Sequence, residues 1–183
     1  MLGVVFTELM EMVESQFSSE LLDAIIDDAA LPHDGAYTAV GEYPHEEIVR
    51  LVQALSQRTG APVADLLQAF GTYLFPRLAA GNPDLLQRSP NLFALLQRLD
   101  DHIHPEVLKL YPNAHLPRFS VLETEADRIA LRYDSPRRME SLAVGLIHGA
   151  SAFFNEPCAV EISESGSPAD RYVRIDVQRI ASD

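Results

Sequence analysis

Apolar positions along the first 110 residues recur at helical spacing. Val5, Leu9, Met12 and Val13 gather on one side of a helix turning by about 100° per residue. Leu21, Leu22, Ile25 and Ile26 repeat the pattern after Ser18 and Ser19, either of which can cap a new helix. The turn LPHDG follows. The next helix is predicted from near Pro44 to Gly60, and another from Pro62, carrying Leu66, Leu67, Phe70, Leu74 and Leu78. Gly81, Asn82 and Pro83 break the chain, and a last helical region is expected from about Asp84 to Tyr111.

After Pro112 the period changes from helical to alternating. Phe119 to Glu123 and Arg128 to Tyr133 read as a hairpin. Met139 to Phe154 reads as a helix with Leu142, Leu146 and Ala150 on one side. Ala159 to Glu164 and Arg171 to Ile180 read as strands joined by the turn ESGSPAD. Helices first and mostly strands afterwards predict an α+β fold with an antiparallel sheet. No repeat or linker divides the chain, so residues 1–183 are read as one domain, with a helical part over 1–60 and the sheet within 61–183.

Composition narrows the functional classes. With 183 residues the chain is long enough to bury a core; 47% hydrophobic and 22% charged residues are ordinary for a soluble protein. No apolar run approaches the roughly 18 residues of a membrane span. Glu8, Glu11 and Glu14 stand where a signal peptide would be basic, and the first basic residue is Arg50. The lone Cys158 excludes an internal disulfide framework. The cytoplasm is the expected compartment. The net charge is −13, and residues 1–60 hold eleven acidic against two basic side chains. Phosphate backbones and anionic lipid repel such a protein, so no nucleic-acid or membrane role is expected. The acidity itself reads as a solvated helical face, with a basic protein partner as the alternative.

Two stretches carry candidate chemistry. In RIALRYDSPRRMES, Arg128 to Ser141, alternation puts Ile129, Leu131, Tyr133, Ser135 and Arg137 on one face. That face starts apolar and ends in a phenol, a hydroxyl and a guanidinium, a row suited to an anion with a large apolar body. In LDDHIHPEVLKLYPNAHLPRF, Leu96, Ile103, Val107 and Leu110 form the apolar stripe of a helix. His104 falls on the flank of that stripe, whereas His102 points away and is expected in water. A lone histidine there is more often a hydrogen-bonded boundary residue than a ligand. An apolar pocket, one histidine suited to axial ligation and a separate Tyr/Ser/Arg row are together what a haem requires: an imidazole for iron, apolar walls for the macrocycle, and strong donors for two propionates.

YDSPR resembles the Y-x-S-x-R haem-propionate motif of the H-NOX domains, the haem-nitric oxide/oxygen binding family related to soluble guanylate cyclase. The likeness runs nearly end to end, through MLGVVF, AFGTYLF, IHPEVLKLYP, LPRF, IALRYDSPRRM and GLIHGASAFF. It implies haem b buried between helices and sheet, His104 as proximal ligand, and Tyr133, Ser135 and Arg137 at the propionates. Pro117 matches a proline that presses on the porphyrin. Oxygen-binding relatives place a tyrosine nine residues after the motif tyrosine, a tryptophan in the first helix and an asparagine after the Phe-Gly pair. Those positions fall on Leu142, Leu9 and Leu74 here, and Val5, Phe75, Leu78 and Leu146 complete an apolar wall. The resemblance therefore implies a non-enzymatic sensor that takes nitric oxide and carbon monoxide without a stable oxygen complex. The output would go to a separate partner such as a histidine kinase or diguanylate cyclase. Cysteine-rich zinc sites of some relatives are not expected, because Cys158 stands alone. The alternatives are an oxygen sensor, a peroxidase-like enzyme, and a haem-free interaction domain. The enzyme would need a distal acid–base group, and His148, about 200° around the helix from Leu146, is expected to point away. Pro105 departs from a continuous helix and predicts a kink or a helix start between Asp101 and His104.

Overall fold

The computed structural model describes residues 1–81, 83–86, 88–112 and 114–180. Its elements run α1 (Gly3–Gln16), α2 (Ser19–Ala29), α3 (His45–Thr59), α4 (Val63–Gly81), α5 (Pro83–Leu86), α6 (Leu92–Gln97), a π-helical turn (Leu99–Ile103), α7 (His104–Leu110), β1 (Arg118–Thr124), β2 (Arg128–Asp134), α8 (Glu140–Phe154), β3 (Cys158–Ser167) and β4 (Asp170–Arg179). The strands form one antiparallel sheet in the order β1-β2-β4-β3. The expected α+β architecture is present.

Local chemistry sets most boundaries. The Ser18 hydroxyl accepts from the Leu21 amide at 3.1 Å and starts α2. Pro44 precedes α3, and Gly60, at φ +76°, ends it in the left-handed conformation that costs glycine least. The helices α1–α4 enclose one hydrophobic core around Phe6, Leu9, Met12, Leu51, Phe70 and Leu74. A second core, built on Ile129, Leu131, Ile175 and Val177, joins the sheet to α6 and α8.

Helices α4 and α8 bind the two cores into one body by unusually close approach. A Cβ on Gly145 would lie 2.2 Å from the Gln68 carbonyl oxygen, and one on Gly71 would lie 2.5 Å from that of Leu142. The Thr72 hydroxyl donates to the Gly145 carbonyl at 3.2 Å across the same contact. At the other end of α1, the amide of Gly3 donates to Gly41 at 2.7 Å, fixing the start of that helix to the loop before α3.

Two expectations are corrected. The single helical region expected from Asp84 to Tyr111 is divided into α5, α6, the π turn and α7, because Asn91 caps a fresh helix through its side chain, which accepts from Ala94 at 2.8 Å. Asn82, expected to help break the chain, lies outside the described residues. The ESGSPAD segment is largely strand: β3 continues to Ser167 and β4 starts at Asp170, with Gly166 at φ +93°.

Candidate functional site

Pro105 dictates how His104 is presented. A proline lacks the backbone N–H that a helix interior needs but is tolerated in the first turn. Here α7 begins at His104, so Pro105 occupies that first turn. The preceding turn is widened to π geometry: the amide of Ile103 bonds to Arg98 at 2.9 Å, and that of His104 reaches back to Leu99. The predicted helix start is therefore met by the chain widening one turn upstream.

His104 is largely buried, its side chain 17% exposed, and its Nδ1 lies 3.0 Å from Asp100 Oδ1. Burial pushes the imidazole below its ordinary pKa, with Asp100 pulling the other way. A neutral ring donating from Nδ1 to the carboxylate leaves Nε2 as an unprotonated lone pair, the form in which histidine binds a metal. His102 is half-covered rather than fully in water, and it does not line the cavity that His104 faces.

That cavity has a volume of about 470 Å³, within the usual range for a small-molecule or cofactor site. Val5 of α1 lines it together with Leu74, Phe75 and Leu78 of α4. Leu142 and Leu146 of α8 add to the same wall, with His104 and Pro117 on the α7 side. Tyr133, Ser135 and Arg137 line it from the end of β2 and the following loop. Leu110, the last residue of the predicted stripe, also reaches the lining although it is 62% exposed. Leu9 is the exception among the predicted residues. It is 2% exposed within the helical core and does not line the cavity.

Tyr133 is buried, at 4% exposure, and burial raises its phenol pKa while the Ser135 hydroxyl opposes the rise. Ser135 Oγ accepts from the Arg137 amide at 3.3 Å, which turns the loop so that both side chains face the cavity. Arg137 is partly buried, and no carboxylate pairs with it among the described residues. A half-buried guanidinium without a counter-charge is costly, and a carboxylate-bearing ligand would relieve that cost. Phe119 on β1 stands between the two polar groups, its ring centroid 5.9 Å from His104 and 5.2 Å from Tyr133.

The donor set fits haem: one imidazole nitrogen free inside an apolar cavity, and a phenol, a hydroxyl and an unpaired guanidinium at its edge. Among the described residues no cluster of three or more His, Cys, Asp and Glu side chains is placed to hold a metal ion by itself. His148 is half-buried, does not line the cavity, and has its pKa lowered by burial. The lining also includes Met1, Met139, Leu99, Ile147 and His115, which sequence reasoning missed. Met139 and His115 sit in loops, where no periodicity announces a buried or cavity-facing side chain. No described helix is long and apolar enough to cross a membrane.

The haem-NO-binding family model matches residues 2–162. The structure of the unliganded Fe(II) H-NOX protein from K. algicida is similar at 31% identity, covering 100% of this chain and 98% of that one, with a TM-score of 0.92. An H-NOX protein from S. oneidensis in the Fe(II)NO ligation state shares 30% identity over 99% of this chain and 100% of its own, with a TM-score of 0.87. A point mutant of T. tengcongensis H-NOX, at 20% identity over 98% and 97% of the two chains and a TM-score of 0.84, shares the fold. A search of curated protein sequences found no match. The cavity, its donors and these likenesses agree, and the chain belongs to the haem-NO-binding, or H-NOX, family of haem-based gas sensors.

Proposed function

We propose that this chain is a nitric oxide sensor that holds haem b through His104 and signals to a separate protein. Tyr133, Ser135 and Arg137 hold the propionates in this reading, and Pro117 presses on the porphyrin beside His104. Haem held there would supply a ferrous iron to bind a diatomic gas.

The observation that carries the choice of gas is the chemistry of the wall built by α1, α4 and α8. Leu74, Leu142, Leu146, Val5 and Phe75 offer no hydrogen-bond donor. Oxygen bound to iron gathers negative charge and needs a donor, whereas nitric oxide and carbon monoxide bind without one. The phenol nearest in sequence, Tyr73, is not in the lining. Its ring lies under the Arg77 guanidinium, 3.3 Å from centroid to carbon, and Arg77 is paired with Glu8 at 3.0 Å. The S. oneidensis relatives in Fe(II)NO and Fe(II)CO ligation states support the same two ligands here.

Signalling in this reading rests on the two-core construction. Haem held by His104 would couple a bound gas to the α7 side of the cavity, and release of the His104 imidazole would remove that restraint. The helical core carried by α1–α4 then shifts against the core built on the sheet. That is ligand-driven selection between two packed states, read by a histidine kinase or diguanylate cyclase in the cytoplasm. Absorption spectra of the reduced, haem-loaded protein test the assignment: nitric oxide and carbon monoxide should each shift the Soret band, and air should give slow oxidation. A persistent oxygen spectrum would overturn it.

A further inference from the structure

A second cavity, of about 480 Å³, lies on the other side of the loop that carries Ser135 and Arg137. The antiparallel sheet builds it at one end. Arg118 opens β1 opposite Asp134, which closes β2; on β4, Arg171 stands opposite Gly166 of β3. Tyr133 and Ser135 line both cavities and so form the wall between them.

Consecutive arginines serve different cavities. Arg137 lines the first and Arg138 the second. The divergence has a backbone cause, because Arg138 sits at φ +49°, a left-handed conformation uncommon outside glycine and asparagine. Strained residues of this kind concentrate where a side chain must be aimed.

The charges of the second cavity are not balanced. Three guanidiniums, Arg118, Arg138 and Arg171, face two carboxylates, Asp134 and Glu164. Both carboxylates are already engaged: Asp134 by Arg132 at 2.6 Å, and Glu164 by Arg138 at 3.2 Å. Arg118 and Arg171 have no carboxylate partner among the described residues, in a chain whose net charge is −13 and whose other sheet arginines at positions 128, 132, 174 and 179 are all paired. Two exposed arginines without a carboxylate partner line one concavity, beside a tyrosine and a serine, and such a set suits an anion with several equivalent oxygens.

We propose that this cavity is a binding site for a small phosphate-bearing anion, held by Arg118 and Arg171 with Arg138 at its side. An occupant would bear on Tyr133 and Ser135, the residues that also face the first cavity. The site does not depend on the gas-sensing reading.

Pyrophosphate is the probe, titrated by calorimetry into the haem-loaded protein at constant ionic strength. The proposal expects saturable binding of one equivalent, at least tenfold weaker in the Arg118→Gln/Arg171→Gln double variant and unchanged in Arg58→Gln, whose guanidinium is paired with Asp28 far from the sheet. Inorganic phosphate and ATP as further arms separate a bare phosphate site from one that also holds the rest of a phosphate ester. If the double variant is unstable, phenylglyoxal labelling of the unaltered protein gives the second measurement: pyrophosphate should shield Arg118 and Arg171 and leave Arg50 reactive. Non-saturating binding, equal binding in the double variant, or equal labelling with and without pyrophosphate would each overturn the proposal.

Discussion

Asp100 Oδ1 lies 3.0 Å from His104 Nδ1, one turn upstream on the same helical segment, and this contact decides which imidazole nitrogen is left for a ligand. The carboxylate orients the ring and makes it a stronger donor. Asp100→Ala should retain the fold but lose haem to an apomyoglobin scavenger about tenfold faster, the scale usual for removing such a partner. His104→Gly should purify without stable haem or keep it only with added imidazole, while His102→Ala binds haem normally. A native spectrum in His104→Gly would show that the ligand lies elsewhere.

The loop after β2 should rank its three donors. Arg137→Ala removes a charged fork that has no other partner, and Tyr133→Phe and Ser135→Ala each remove one neutral hydroxyl. Hydrogen bonds to charged groups contribute about 1.5–3 kcal/mol and neutral ones about 1 kcal/mol. Haem loss should therefore be fastest in Arg137→Ala. Equal rates across the three variants would contradict the ranking.

Leu142 is the position at which gas selectivity should be convertible. It is 9% exposed, lines the cavity, and lies on α8 above the closest α4 contact. Leu142→Tyr brings a phenol beside Val5, Leu74, Phe75 and Leu146, none of which carries a donor. The reduced variant in air should then show a lasting oxygen spectrum that the unaltered protein lacks. Rapid oxidation of both proteins alike would mean the phenol does not reach the gas.

The α4–α8 contact should tolerate no added methyl group. Gly145→Ala places a Cβ 2.2 Å from the Gln68 backbone oxygen, which cannot rotate away as a side chain can. Overpacking of this kind costs typically 1–3 kcal/mol. Chemical denaturation should show a lowered midpoint, whereas Gly81→Ala, which meets nothing within 4 Å, should change it little. An unchanged midpoint in Gly145→Ala would show that the helices can separate without cost.

Sequence alone determined whatever depends on neighbours along the chain. The helix starting after Ser18 and the one ending at Gly60 were legible because caps and breakers act within a turn. Tyr133 was legible because alternation along a strand is local, whereas Ser135 and Arg137 lie past the end of β2 and reach the cavity through a turn; the helix start at His104 was legible because a proline's missing amide is local. Tertiary structure decided which apolar residues meet one another. Leu9 and Leu142 read alike as buried leucines and both join the helical core, yet only Leu142 also lines the cavity. Periodicity marks the face of a helix that leaves water but not the partner that covers it. The π turn before His104, the separate α6 and the divergence of Arg137 from Arg138 also belong to the tertiary level. The π turn packs against β1 and α6 against α8, segments distant in sequence whose meeting no local pattern of residue types encodes.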